Sequence, residues 1–504
     1  MIELDGHSLT LDHLVAIADA NAAVAISETA RTRVQAARAI VDEFADHDTP
    51  TYGINTGFGN FSEVKIPHDS LSQLQVNLLR SHAAGVGEPL AVPVVRAAMA
   101  LRANVLAKGY SGIRLETLEL LVELLNRRVH PLVPSRGSVG ASGDLAPLAH
   151  IALVLIGEGR VTDGSQVVDG GVALAGAALT PATLGPKEGL ALINGTQPST
   201  ALLGLAVAAA QRLARAADII AALSIDGLQG STKPFDPRIH AARGLSHQSL
   251  SAANLRILLD GSGINAAHAN CGRVQDAYSM RCAPQVHGAA RSACHFAHDV
   301  FAAEANAATD NPMVFADTRE IVSGGNFHGA PVAVAADLLC IGIVQLATIS
   351  ERRSDRLVNP ASSGLPAFLT RHGGLHSGLM MAQVTAAALT SELKTLAHPA
   401  SVDTIPTSGN KEDHVSMSMA AALKSMRAVE LAARVLAVEL LCACQAIDLL
   451  TPLATSTTLA RVHEFVRARV PTLDDDRPPS IDIDKIVTMI ESGELERACA
   501  MKVN

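Results

Sequence analysis

Tryptophan is absent from this 504-residue chain, and tyrosine occurs only three times. Phenols are therefore scarce, and one placed in a glycine-rich polar stretch is a candidate reactive group. Cysteine is sparse too: Cys271, Cys282, Cys294, Cys340, Cys442, Cys444 and Cys499 are odd in number and form no CxxC pair. Such usage argues against a disulfide framework and predicts reduced thiols in a cytoplasmic protein. A surplus of positive charge is also missing, since 40 Lys and Arg face 49 Asp and Glu, a net charge of −9. No nucleic-acid partner is expected on that balance. No apolar run reaches the ~18 residues of a membrane span. The run 201–210 is closed by Gln211, and 330–347 carries Asp337 and Gln345, so no membrane partner is expected. The first residues show neither a basic nor an apolar leader, and no export signal is expected.

Several chemistries lack their residues. There is no HExxH and no GxxxxGKS/T loop, and Gly140-Ala141-Ser142-Gly143 is not the GxSxG elbow of serine hydrolases. His287, Cys294, His295 and His298 have no zinc-ligand spacing, so no metal is expected.

What the chain has is apolar helix. Apolar residues make up 48%, charged residues 18%, and the mean hydropathy is +0.25. Helices this apolar are buried on nearly all sides, in a large core or between subunits, which predicts an oligomer. Thr10 and Ser27 are placed to cap the first two helices. The second carries Val34, Ala37, Ile40 and Phe44 on one face. Leu115, Leu118, Val122, Leu125 and Val129 form another stripe. Asp169-Gly170-Gly171 reads as a turn between short strands, and Ser480 as the cap of a last helix, Ile481–Glu491. The predicted architecture is mainly α, a smaller N-terminal part followed by a long helical bundle.

Polar residues interrupt this apolar background at a few places. Thr51–Asn60 is a glycine-rich loop carrying Tyr52. Ser81-His82 precedes Ala83-Ala84-Gly85. Ala141-Ser142-Gly143 joins apolar segments, and Asn194-Gly195-Thr196-Gln197 breaks another pair. Gln275, Tyr278 and Arg281 would lie along one face if their segment is helical. Phe327 sits in Gly324–Gly329, and Glu412 in Gly409–His414. Each has an ordinary structural reading: Gly-Ser loops, a cap at Asn194, an ion pair at Arg281, core filling at Phe327, a helix N-terminus at Glu412-Asp413.

Taken together, the stretches Tyr52–Gly59, Ser81–Gly87, Gly140–Pro147, Ile193–Thr196, Gln275–Gln285, Asp310–Pro312, Gly324–His328 and Pro399–Asp403 resemble the histidine/phenylalanine ammonia-lyase family. The resemblance implies an L-aspartase-like helical bundle over 111–504. A mixed N-terminal domain over 1–110 would carry the tyrosine loop. It implies that Ala141, Ser142 and Gly143 cyclise unaided into 4-methylidene-imidazol-5-one, with no external cofactor. It further implies Tyr52 as the base for the β-proton, and Arg281 as the carboxylate anchor. Asn194, Gln275 and Tyr278 would order the amine, the carboxylate and the prosthetic group, and Phe327 would line the pocket. His82 and Glu412 would face the substrate ring. A carboxylate there suits an imidazole better than a phenyl ring, so the implied reaction is loss of ammonia from L-histidine to trans-urocanate. The alternative is a tyrosine or phenylalanine lyase or 2,3-aminomutase. A cytoplasmic homotetramer with sites shared between subunits is implied as well. Lys411 and Asn60-Phe61-Ser62 depart from the usual family pattern.

Overall fold

The computed structural model describes residues 1–47, 49–162, 166–269, 271–500 and 503. Among them helix dominates, as the composition predicts, with 21 α-helices and four two-stranded sheets. The chain packs as two units: Met1–Leu205, Ala297–Asp337 and Pro399–Leu423 form one, and Ala206–Phe296, Leu338–His398 and Lys424–Asn504 the other. The boundary expected after residue 110 falls inside the first unit.

In the first unit, Ile2–Leu4 pairs in parallel with Val24–Ile26 around the helix Leu11–Asp19. The Thr10 hydroxyl caps that helix by accepting from His13 N at 3.2 Å, and Ser27 caps Glu28–Ala45 through Ala30 N at 3.2 Å. The second helix turns Val34, Ala37, Ile40 and Val41 inward. Ala37, Ile40 and Val41 form a cluster with Leu71, Val314 and the wholly buried Ile54. Ile54 therefore roots the loop that carries Tyr52. The helix Val92–Ala107 is buried from Val94 onward, including Arg96, Arg102 and Asn104. Leu71–His82 and Glu188–Ile193 approach so closely at Gly189 that a Cβ there would lie 2.8 Å from Gln75 O. That contact requires glycine.

The second unit is pinned by buried polar groups. Arg353 pairs with Glu439, which also accepts from Ser224 Oγ at 2.6 Å. Asp218 accepts from His287 Nδ1 at 2.6 Å, Arg291 Nη2 at 2.7 Å and Asn254 Nδ2 at 2.8 Å. Each carboxylate is satisfied by several donors, which is what makes a buried charge tolerable. The helix Ala330–Val358 is long and apolar enough to cross a bilayer by length and composition, yet 72% of its most apolar window is buried in the fold.

Three local expectations are corrected. Asp169-Gly170-Gly171 is not a turn between strands: Arg160–Thr162 pairs with Val167–Asp169, and Gly170 opens the helix Gly170–Gly176. Its glycine is needed because a Cβ would lie 2.0 Å from Glu158 O. Gln275 does not share a helix with Tyr278 and Arg281, since the helix is only Tyr278–Arg281. The preceding residues are tied elsewhere, Asp276 to Ser231 N at 2.7 Å and Arg273 to Leu228 O at 3.1 Å. Ser480 lies inside the first turn of Pro479–Glu491, which opens on Pro479 and is followed by a further helix, Glu494–Ala498.

Candidate active site

The Ala141-Ser142-Gly143 turn is clamped on both sides. Upstream, Gly140 O accepts from Ser416 Oγ at 2.8 Å and from Gly329 N at 3.1 Å, while Met417 N donates to Val139 O at 2.8 Å. Downstream, Asp144 N donates to Gly195 O at 2.7 Å, and Asn194 Nδ2 donates to Ser142 O at 3.0 Å. Gly143 has φ +70°, and a Cβ on it would sit 2.2 Å from Gly195 O. Only glycine fits there, for both reasons. Asp144 behind the turn is wholly buried and accepts from Ser138 Oγ at 2.7 Å and Ser199 N at 2.8 Å. Burial pushes its carboxyl up despite those bonds.

The turn faces a cavity of about 650 Å³ lined by Tyr52, His82, Ser142, Asn194, Phe327 and Glu412, among others. All belong to the first unit. Glu412 Oε1 accepts from Ser142 Oγ at 2.7 Å, and its Oε2 accepts from Thr407 Oγ1 at 2.6 Å and Ser408 Oγ at 2.9 Å. Burial pushes this carboxyl up, but the three hydroxyls and His82 outweigh it and hold the group below its ordinary value. Glu412 is thus an anion in the cavity.

His82 Nδ1 lies 2.9 Å from Leu78 O. A carbonyl can only accept, so Nδ1 carries the proton and Nε2 is left as an acceptor. Burial lowers the ring's pKa, opposed by the Leu78 carbonyl and Glu412, which keeps the imidazole neutral. Tyr52 stands edge-on to Phe58, ring centroids 6.3 Å apart. Its phenol is pushed up by burial and by the charge of Glu412, with the Gly59 amide opposing. Among the described residues, burial and Glu412 together outweigh the Gly59 amide at Tyr52, which favours the neutral phenol.

Gln275, Tyr278 and Arg281 belong to the second unit and do not line this cavity. Tyr278 is 70% exposed, with the Arg281 guanidinium carbon 4.6 Å from its ring centroid. Arg281 Nε is buried without a hydrogen-bond partner among the described residues. Residues not singled out from the sequence also serve the site: Ser408 and Phe58 line the cavity, Ser408 and Thr407 hold Glu412, and Phe58 stands against Tyr52. Proximity to Glu412 in the chain was the one available signal for Thr407 and Ser408. Lys411 lines the cavity too, as an exposed cation.

A phenol, an imidazole, a carboxamide and a carboxylate brought to one cavity by a helical scaffold define an enzyme. A family profile described as Aromatic amino acid lyase matches residues 9–468. The chain belongs to that family, and it is a carbon–nitrogen lyase. It is similar to a histidine ammonia-lyase of Anaeromyxobacter sp. (strain K), 54% identical over 502 residues, 98% of this chain and 99% of that protein. Among solved structures it resembles histidine ammonia-lyase from Trypanosoma cruzi, with TM-score 0.92 and 45% identity, covering 99% of this chain and 95% of that one. It also resembles tyrosine aminomutase from Streptomyces globisporus, with TM-score 0.95 and 37% identity over the whole of both chains.

Proposed function

We propose that this protein eliminates ammonia from L-histidine to give trans-urocanate. The observation that carries the substrate choice is the pair of acceptors in the cavity, the Glu412 carboxylate and His82 Nε2. Two acceptors suit the two N–H groups of an imidazolium; a phenol offers one donor and a phenyl ring none. An unpaired buried carboxylate facing a phenyl ring would be costly. The names of the two histidine ammonia-lyases described above support the same reading.

The Ala141-Ser142-Gly143 turn suits cyclisation to 4-methylidene-imidazol-5-one, because Gly143 stands where no side chain fits and Asn194 holds the Ser142 carbonyl. Once formed, that ring supplies an electrophilic carbon that the twenty side chains lack. Losing the Ser142 hydroxyl removes the donor to Glu412 Oε1 and frees that oxygen for the substrate ring. Tyr52 takes the β-proton as general base. Its raised pKa calls for positive charge close to the phenol; Lys411 lines the cavity but is exposed, and Arg281 of a neighbouring subunit is the proposed source, also anchoring the carboxylate. Gln275 and Tyr278 would arrive with it, in a cytoplasmic homotetramer with shared sites.

Purified protein incubated with L-histidine, L-tyrosine and L-phenylalanine tests the reading. Urocanate from histidine is expected, with little cinnamate or coumarate. Coumarate or β-tyrosine as the main product would favour the aminomutase-like alternative, for which the fold likeness to the Streptomyces enzyme speaks. Intact mass should be lower by two waters than the encoded chain, and Ser142→Ala should be inactive.

A further inference from the structure

Asn194 and Gly195 hold the reactive turn, but what holds them lies a layer deeper. The helix Glu188–Ile193 ends at Asn194 and the next begins at Gln197. A helix end leaves its last carbonyls without partners, and here the end is buried. Arg102, 1% exposed on the helix Val92–Ala107, meets them. Its Nε donates to Ala191 O at 3.0 Å, Nη2 donates to the same oxygen, and Nη1 donates to Asn194 O at 2.9 Å and to Gln197 Oε1 at 2.9 Å. Gln197 is fixed in turn by donating Nε2 to Thr309 Oγ1 at 2.6 Å.

Gly195 is pressed between this network and the turn. A Cβ on it would lie 2.4 Å from Arg102 Nη1, 2.4 Å from Gln197 Oε1 and 2.6 Å from Thr309 O. On the other side, Gly195 O takes Asp144 N and Gly195 pairs with Gly143. We infer that Arg102 is a positioning residue for prosthetic-group formation, acting through Asn194 and Gly195 to hold Ser142 and Gly143 in the shape from which the ring closes. This inference rests on the proposed function above. In the closure, a bond forms from Gly143 N to the Ala141 carbonyl carbon. The former carbonyl oxygen leaves as water with the amide protons of Gly143 and Ser142. The Ser142 α-proton and hydroxyl leave as a second water.

A planar fork can serve three acceptors at fixed angles, whereas an ammonium is a single point. Arg102→Lys should therefore fold yet close the ring about tenfold more slowly, a modest loss of pre-set orientation. Gln197→Met, which removes one acceptor and leaves Arg102 in place, should slow closure less. Both are followed by intact mass at fixed times after a pulse of synthesis, on protein shown folded by circular dichroism and gel filtration. A purely structural Arg102 would lower the melting temperature while every folded chain still lost two waters on the wild-type schedule; that result overturns the inference alone. If Arg102→Lys does not fold, Gln197→Met decides on the same criterion. Wild-type protein retaining both waters would instead overturn the prosthetic-group reading, and this inference with it.

Discussion

The proposed substrate choice rests on Glu412, and its neighbours explain why this side chain can carry it. Thr407, Ser408 and the nearby His82 go on favouring its charged form after ring closure has removed the Ser142 hydroxyl, so it remains charged in a half-buried position. Glu412→Gln keeps the shape and removes the charge. Histidine turnover should fall roughly tenfold to a hundredfold, the worth of a charge-assisted hydrogen bond, with inhibition by generic amino-acid carboxylates much less affected; unchanged kinetics would refute the assignment. The same substitution should move the ascending limb of kcat/KM to lower pH, because Glu412 raises the Tyr52 pKa. It also affects stability. With its folded pKa held below 4.5, Glu412 contributes fully above that pH and loses its contribution as the pH falls through the folded value. Melting temperature should therefore fall less between pH 6 and pH 3 in the variant than in the wild type. Tyr52→Phe removes the proposed base and leaves the turn untouched. It should cost about 10²–10⁴ in kcat, the usual worth of a general base, while the two-water mass deficit stays complete.

The loop that presents Tyr52 is an element with its own fastening. Asn55, 2% exposed, accepts from Thr51 N at 2.7 Å and donates to His47 O at 3.2 Å and Thr49 O at 3.1 Å. Asn55→Ala would strand three backbone groups, each costing about 1–3 kcal/mol where it stays dry. The expected result is faster amide exchange across 47–66 and a lower kcat, with exchange in Val92–Ala107 unchanged; uniform acceleration would show the fastening to be global. Elements like the Thr10 and Ser27 caps were legible in the sequence because a cap and its helix lie within a few residues. The Gly170 helix and the short Tyr278–Arg281 helix were not, since their form is set by Glu158 O and by Leu228–Ser231, partners invisible to local spacing. The site divides the same way. Tyr52, Ser142, Asn194 and Glu412 announced themselves as polar breaks in apolar sequence. Arg102 gave no such sign, because it works on backbone carbonyls 89 and 92 positions along the chain.

At the scale of the whole molecule, the proposed chemistry draws on groups that the cavity of one chain does not gather. The cavity holds the proposed base, whose phenol burial and Glu412 keep protonated against the Gly59 amide, and the proposed carboxylate anchor does not line it. Apolar side chains remain uncovered in spaced rows: Val334, Leu338 and Ile341 recur on one face of Ala330–Val358, and Met381 and Val384 on Met380–Leu396. Such rows suit the homotetramer proposed above, in which further copies would cover them while bringing Gln275, Tyr278 and Arg281 to a neighbour's turn. That arrangement can be tested without breaking the assembly. Ser142→Ala lacks the hydroxyl the ring requires and Arg281→Ala lacks the anchor, so each alone should be inactive. Co-expressed in equal amounts, they should form mixed oligomers in which about a quarter of the sites draw an intact turn from one copy and an intact arginine from another, if copies associate at random in a closed symmetric assembly. Activity recovered to that level would place the two groups on different chains. No recovery from verified mixed oligomers would mean that turn and anchor must come from the same copy.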